Sequence, residues 1–210
     1  MRSKRIGICL AAVLILISAV SSMAIEISGL GLKVGANFSR FSGPDVEPEW
    51  KNRMALVGGA FLTLKLNNFL AIQPEILYSQ KGPRWDAPLE GEDFVGTVKL
   101  DYLEIPLLVK ILIPVGANAA IRPNLFMGPY LGFKMSAKLK YSWGTTSDER
   151  TIDQIKSSDA GYVLGGGFDF VVGHGKFTFD IRYGMSFSTI ATDSTMKNQT
   201  ISAMLGYSFK

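Results

Sequence analysis

Cysteine occurs once, at Cys9, and histidine once, at His174. So thiol-poor a chain builds no disulfide framework, and neither a Cys-ligated zinc site nor a Cys–His nucleophilic pair is available to it. Beyond residue 20 there is also no apolar run of the roughly 18 or more residues that a spanning helix needs. Helical periodicity and low-complexity linkers are missing as well, which leaves one all-β domain as the organisation that accommodates 47% hydrophobic residues.

The single long apolar run, Ile6 to Val20, follows Arg2, Lys4 and Arg5 and precedes Ser22 and Ala24 in small-x-small spacing. This layout predicts a secretory signal peptide over residues 1–24, cleaved after Ala24. At 15 residues the run is short for a membrane span, and Cys9 lies too near its start to be a lipoprotein cysteine. Cleavage removes the cysteine and three cations, so the net charge falls from +4 to +1. The basic composition therefore carries no nucleic-acid message. Residues 25–210 form the predicted domain.

Eight segments of that domain alternate with a period of two, the mark of strands with two chemically different faces. They run over residues 30–39, 55–66, 70–81, 102–113, 122–138, 161–172, 177–188 and 201–209. One face carries, for example, Leu103, Ile105, Leu107, Val109, Ile111 and Ile113, or Phe177, Phe179, Ile181, Tyr183, Met185 and Phe187, and no charge in any segment. The opposite face carries Lys33, Lys65, Glu75, Lys81, Glu104, Lys110, Arg122, Lys134, Lys138, Asp169, Asp180 and Arg182. The links alternate too. Those after the second, fourth and sixth segments are short, while the others, such as 40–54 and 82–97, are long and polar.

Alternation alone leaves open whether the apolar face meets a protein core or lipid. A soluble lipocalin-like barrel buries it in the lumen and wets the other face. Here the charged face is interrupted by Gly31, Gly35, Gly59, Gly128, Gly132, Gly165, Gly167, Gly184 and Gly206. Glycine packs nothing on a solvated strand, but in a crowded interior it makes room for Lys and Arg. Segment lengths suit the hydrocarbon thickness, and short turns at one end with long links at the other are the outer-membrane pattern. Aromatic residues gather near segment ends: Tyr78, Trp85, Tyr141, Trp143 and Phe187 toward the long links, and Phe69, Phe170, Phe177, Tyr207 and Phe209 toward the short turns. They read as two interfacial girdles. The expected fold is an eight-stranded antiparallel transmembrane up-and-down β-barrel, greasy outside and ionic inside.

Five stretches, "GLKVGANFS" (31–39), "IQPEILYSQKG" (72–82), "YLEIPLLVK" (102–110), "GPYLGF" (128–133) and "FDIRYGMSFSTI" (179–190), resemble the small outer-membrane β-barrel family of Gram-negative bacteria labelled porin-family or PorT-like. The resemblance covers nearly the whole mature chain in order. It implies an outer-membrane barrel with both termini in the periplasm, with membrane lipid and the barrel-insertion machinery as partners. It implies almost no biochemistry. Where such barrels end on an aromatic residue, here Lys210 follows Phe209. Pro74, Pro106 and Pro129 fall inside strands and each removes a ladder donor, so bulges or strand ends are expected there.

An eight-stranded interior is just wide enough for side chains to fill. The twelve charged residues are therefore expected to form an ion-pair network that closes the lumen, since buried charges persist when paired. The excess of eight cations over four anions on that face supports a second reading, a narrow pore for ions or small solutes. A lipid-modifying enzyme is the weakest reading. His174 sits in the tight "GHG" turn at the short-turn end, away from any serine, and "LGGGF" (164–168) lacks the lysine and helix of a phosphate loop. No catalytic residue, cofactor or metal site is expected. The long links, including the acidic 82–97 stretch with Asp86, Glu90, Glu92 and Asp93, are where an extracellular or envelope partner would dock.

Overall fold

A computed structural model describes residues 26–89, 92–116 and 119–209; residues 1–24, where a signal peptide is expected, Glu90 and Lys210 lie outside the described residues. Eleven strands follow in chain order: β1 (Glu26–Ser42), β2 (Trp50–Lys51), β3 (Arg53–Lys65), β4 (Leu70–Lys81), β5 (Arg84–Leu89), β6 (Glu92–Leu112), β7 (Ile121–Trp143), β8 (Thr146–Thr151), β9 (Ser158–Val172), β10 (Gly175–Ser186) and β11 (Lys197–Phe209). Eight of them close a ring in the order β1-β3-β4-β6-β7-β9-β10-β11, every neighbour antiparallel and β1 paired back to β11 from Leu30↔Phe209 to Ser42↔Lys197. Closure leaves no strand edge for a bilayer to strand without hydrogen bonds. No helix among the described residues is long and apolar enough to cross a membrane.

The parity of each strand decides which way its side chains point. Leu32 is 70% and Leu205 64% exposed, while between them in the wall Lys33 is only 4% exposed. Such a distribution is the inverse of a soluble protein and makes the outer face a lipid-contacting band. The band runs from Leu103 on β6 to Ile113 just past its end, which at about 3.3 Å per residue and a tilt of about 40° covers roughly 25 Å. At the short-turn end Phe177, Tyr207 and Phe209 pack as an outward ring cluster, with centroids 4.9 Å apart in both contacts.

Three differences from the sequence expectation share one cause, the height of β6 and β7. Links 82–97 and 141–158 are largely folded: β5 pairs with β6 from Arg84↔Thr97, and β8 with β7 from Lys138↔Thr151. These hairpins rise beyond the bilayer as a sheet on one side of the mouth, with β2 at its edge through Trp50↔Trp85. Along this rise the amphipathicity reverses. Val98, Leu100 and Tyr102 face inward and are buried, while Thr97, Lys99 and Asp101 face outward. Trp85 and Tyr141 accordingly join Trp50, Phe94 and Trp143 in a run of ring contacts 5.4 to 6.5 Å apart on the inner side of this sheet, rather than in a lipid-facing girdle. Gly96 is what allows it: a Cβ there would lie 2.0 Å from the Trp85 ring.

The prolines lie within strands, not at their ends. Pairing lapses beside them, between Pro74↔Leu107 and Leu77↔Glu104 and again between Pro106↔Tyr130 and Val109↔Met127, as missing donors require.

Candidate functional site

The lumen holds the chemistry, and it is layered. Glu75 on β4 and Arg182 on β10 stand four strands apart in a ring of eight, hence diametrically opposed. They meet across the axis, Arg182 Nη1 donating to Glu75 Oε2 at 2.7 Å and Nη2 to Oε1 at 3.3 Å. Lys33 on β1 donates to both Glu75 and Asp180 at 2.8 Å, and Arg182 donates to Asp180 at 3.0 Å. Gln73 adds a further bond to Glu75 at 2.7 Å. Both cations also lie against rings, Lys33 at 4.4 Å from the Phe61 centroid and Arg182 at 5.1 Å from that of Phe126. Gly165, across from Phe126, leaves that ring its space, because a Cβ there would fall 2.5 Å from it.

Toward the short turns, Lys110 donates to Asp169 at 3.2 Å. Toward the long links, Lys81 pairs with Glu104 and lies 4.5 Å from the Tyr130 ring centroid. This upper layer continues through Asp159, a residue outside the strand segments read from the sequence. Asp159 accepts from Tyr130 (3.1 Å), Ser186 (2.9 Å), Ser188 (2.7 Å) and Asn198 (3.1 Å). With its lone pairs so occupied, the carboxylate is an acceptor hub that ties β7, β10 and β11 together. Above it, Phe41, Val98, Leu100, Tyr102, Ala137, Ile155 and Ile190 form a buried apolar cap. Between the layers the mid-lumen void is about 20 Å³, room for about one water.

Eight of the twelve charged positions thus meet inside: Lys33, Glu75, Lys81, Glu104, Lys110, Asp169, Asp180 and Arg182. Lys134 faces inward and donates to the Ile155 carbonyl, taking no part in an ion pair among the described residues. Lys65 and Arg122 sit at the short-turn mouth, where they line an open cavity of about 620 Å³. Lys138 is a correction: it points outward, its side chain 47% exposed, and binds Glu149 at 2.7 Å. The reason is a bulge, for Tyr102 pairs with Lys134 but Asp101 with Ser136, so Met135 is an extra residue that flips every later position of β7. Lys99 donates to the same Glu149 at 2.8 Å, and the hydrogen bonds from Lys138 and Lys99 hold its carboxyl at about 2, below the ordinary 4.5.

Neutral members of the network, Tyr102, Tyr130, Ser186 and Asn198, escaped a search for charge, although the inward parity of each strand would have found the first three. No group of three or more His, Cys, Asp or Glu suited to a metal occurs among the described residues.

A closed eight-stranded ring with lipid-facing leucines and a polar axis matches what a family model recognises: the outer membrane protein beta-barrel domain, over residues 26–192. The chain belongs to this family. It is an outer-membrane β-barrel. Among solved structures it is similar to Ail, the attachment invasion locus protein of Yersinia pestis, at 18% identity and TM-score 0.46, over 88% of this chain and 100% of that one. Neisserial surface protein A gives 13% identity and TM-score 0.46, over 88% and 99%. The N-terminal β-barrel domain of Pseudomonas aeruginosa OprF gives 9% and 0.35, over 85% and 97%. No curated protein matches the chain significantly.

Proposed function

We propose that this outer-membrane barrel is a non-enzymatic structural or surface-interaction protein whose lumen is held shut by ion pairs, with the short turns and both termini on the periplasmic side. The observation that carries the reading is the Glu75–Arg182 bar across the full diameter, bonded at 2.7 Å and reinforced by Lys33 and Asp180. An eight-stranded interior leaves no path around such a bar. Closure at the long-link end is doubled by the apolar cap. What the barrel offers instead is the raised sheet with its aromatic inner side, on a scaffold rigid enough to present a partner-binding surface.

The rival reading, a small porin-like pore, draws on the open cavity at the short-turn mouth and the surplus of cations there. Planar-bilayer recording separates the two. Purified barrel is expected to give no steady unitary current. Steady currents from the native protein, abolished by Arg182→Ala, would establish the pore and end the closed-lumen reading.

A further inference from the structure

The two ends of the lumen differ. The long-link end is sealed by apolar side chains, whereas the short-turn end opens into a cavity of about 620 Å³. That volume lies within the roughly 300 to 1,000 Å³ of small-molecule sites. We propose that this mouth is a binding site for a small amphiphilic anion, a phosphate monoester or carboxylate carried on an apolar body.

The lining argues for both halves of that description. Its floor is the Lys110–Asp169 pair, and Asp169, held by Lys110 at 3.2 Å, is already neutralised. Its walls bring Lys65 and Arg122 against a single further carboxylate, Glu26, so these groups leave the cavity with a surplus of positive charge. Arg122 is the decisive group. It stands opposite Asp169 in the β7–β9 ladder, yet it makes no hydrogen bond or ion pair among the described residues. A guanidinium with its planar fork of donors unspent matches two oxygens of a phosphate or carboxylate. Pro123 follows it and fixes the local backbone, so the fork is presented from a stiff wall. Phe69, Leu112 and Val171 supply the apolar side, which a bare inorganic anion would leave unused. Low-dielectric walls around a net positive cup also concentrate anions at the mouth.

The test uses the mature barrel in phosphatidylcholine nanodiscs, titrated calorimetrically with three water-soluble probes: phenyl phosphate, inorganic phosphate and benzyl alcohol. Phenyl phosphate is expected to bind at least tenfold more tightly than either of the others. Arg122→Gln combined with Lys65→Gln is expected to weaken it tenfold or more, with heat-modifiable gel mobility reporting that the barrel still folds. Gly116→Glu is a second handle, since a side chain there meets nothing within 4 Å and places a carboxylate at the mouth without disturbing packing. It too should cost tenfold. Equal affinity for the three probes, or phenyl phosphate binding unmoved by Gly116→Glu, overturns the proposal. Both results are independent of whether the lumen conducts.

Discussion

Glu75→Gln removes one charge from the diametric bar and leaves Lys33 and Arg182 to share Asp180 alone. In the native lumen Glu75 is 1% exposed and receives four hydrogen bonds, one from Lys33, two from Arg182 and one from Gln73. Glutamine keeps a single acceptor oxygen and turns an amide donor toward a guanidinium that also donates. Breaking a buried pair by neutralising one partner costs about 3–5 kcal/mol, because the remaining charge stays desolvated. With a urea dependence of about 2 kcal/mol per molar, the unfolding midpoint in lipid vesicles should fall by roughly 1.5–2.5 M. The matching double variant, Glu75→Leu with Arg182→Met, removes both ends of the bar and leaves the Lys33–Asp180 pair intact, so it should return to within about 1 kcal/mol of native. Band-shift titration against urea measures all three. A single variant that loses less than about 1 kcal/mol, or a double variant that loses the sum of its parts, would refute the reasoning that these charges are interdependent.

Leu100 is fully buried in the apolar cap, and Leu100→Ala should destabilise by about 2–5 kcal/mol, read from the thermal midpoint of the near-ultraviolet aromatic signal. Glu149 contributes a pH dependence to the raised sheet. Its carboxyl is held at about 2 against an ordinary 4.5, so its contribution is complete above about 4.5 and is lost as pH falls through about 2. A carbon-13 titration should show that midpoint, and Lys138→Ala should move it back toward 4.5 with little change in global stability, as befits an exposed pair. Gly96→Val should displace Trp85 and diminish the aromatic circular dichroism while the barrel keeps its heat-modifiable mobility.

Much of this fold is written in side-chain parity. Leu30, Leu32 and Val34 against Gly31, Lys33 and Gly35 suffice to say which face meets lipid, because a register slip of one residue would turn Lys33 into the bilayer. The same parity brought Glu75, Asp180 and Arg182 to one interior. It failed at Lys138, since a one-residue bulge has no signature in the alternation of a strand read alone; only the pairing partner, Asp101 opposite Ser136, exposes it. Asp159 and Ile155 were beyond reach for different reasons: Asp159 opens β9, ahead of the alternating stretch, and its hydrogen-bond donors Tyr130, Ser186 and Asn198 are neutral, while Ile155 enters from the link between β8 and β9. The folded hairpins were legible in part. From Thr97 to Tyr102 the sequence alternates, but with its apolar residues on the inward parity, opposite to the membrane segments, so it carries no mark of a lipid-facing strand.

That inversion has a mechanical consequence. On β6 the outer surface changes from Asp101 to Leu103 within three residues, and on β7 from Lys138 to Phe133 across the bulge. The protein therefore carries a waterline drawn on its flank, and sliding along the membrane normal in either direction would either wet leucines or drown lysines. A bilayer of the wrong thickness must bend to meet that line or make the whole cylinder lean.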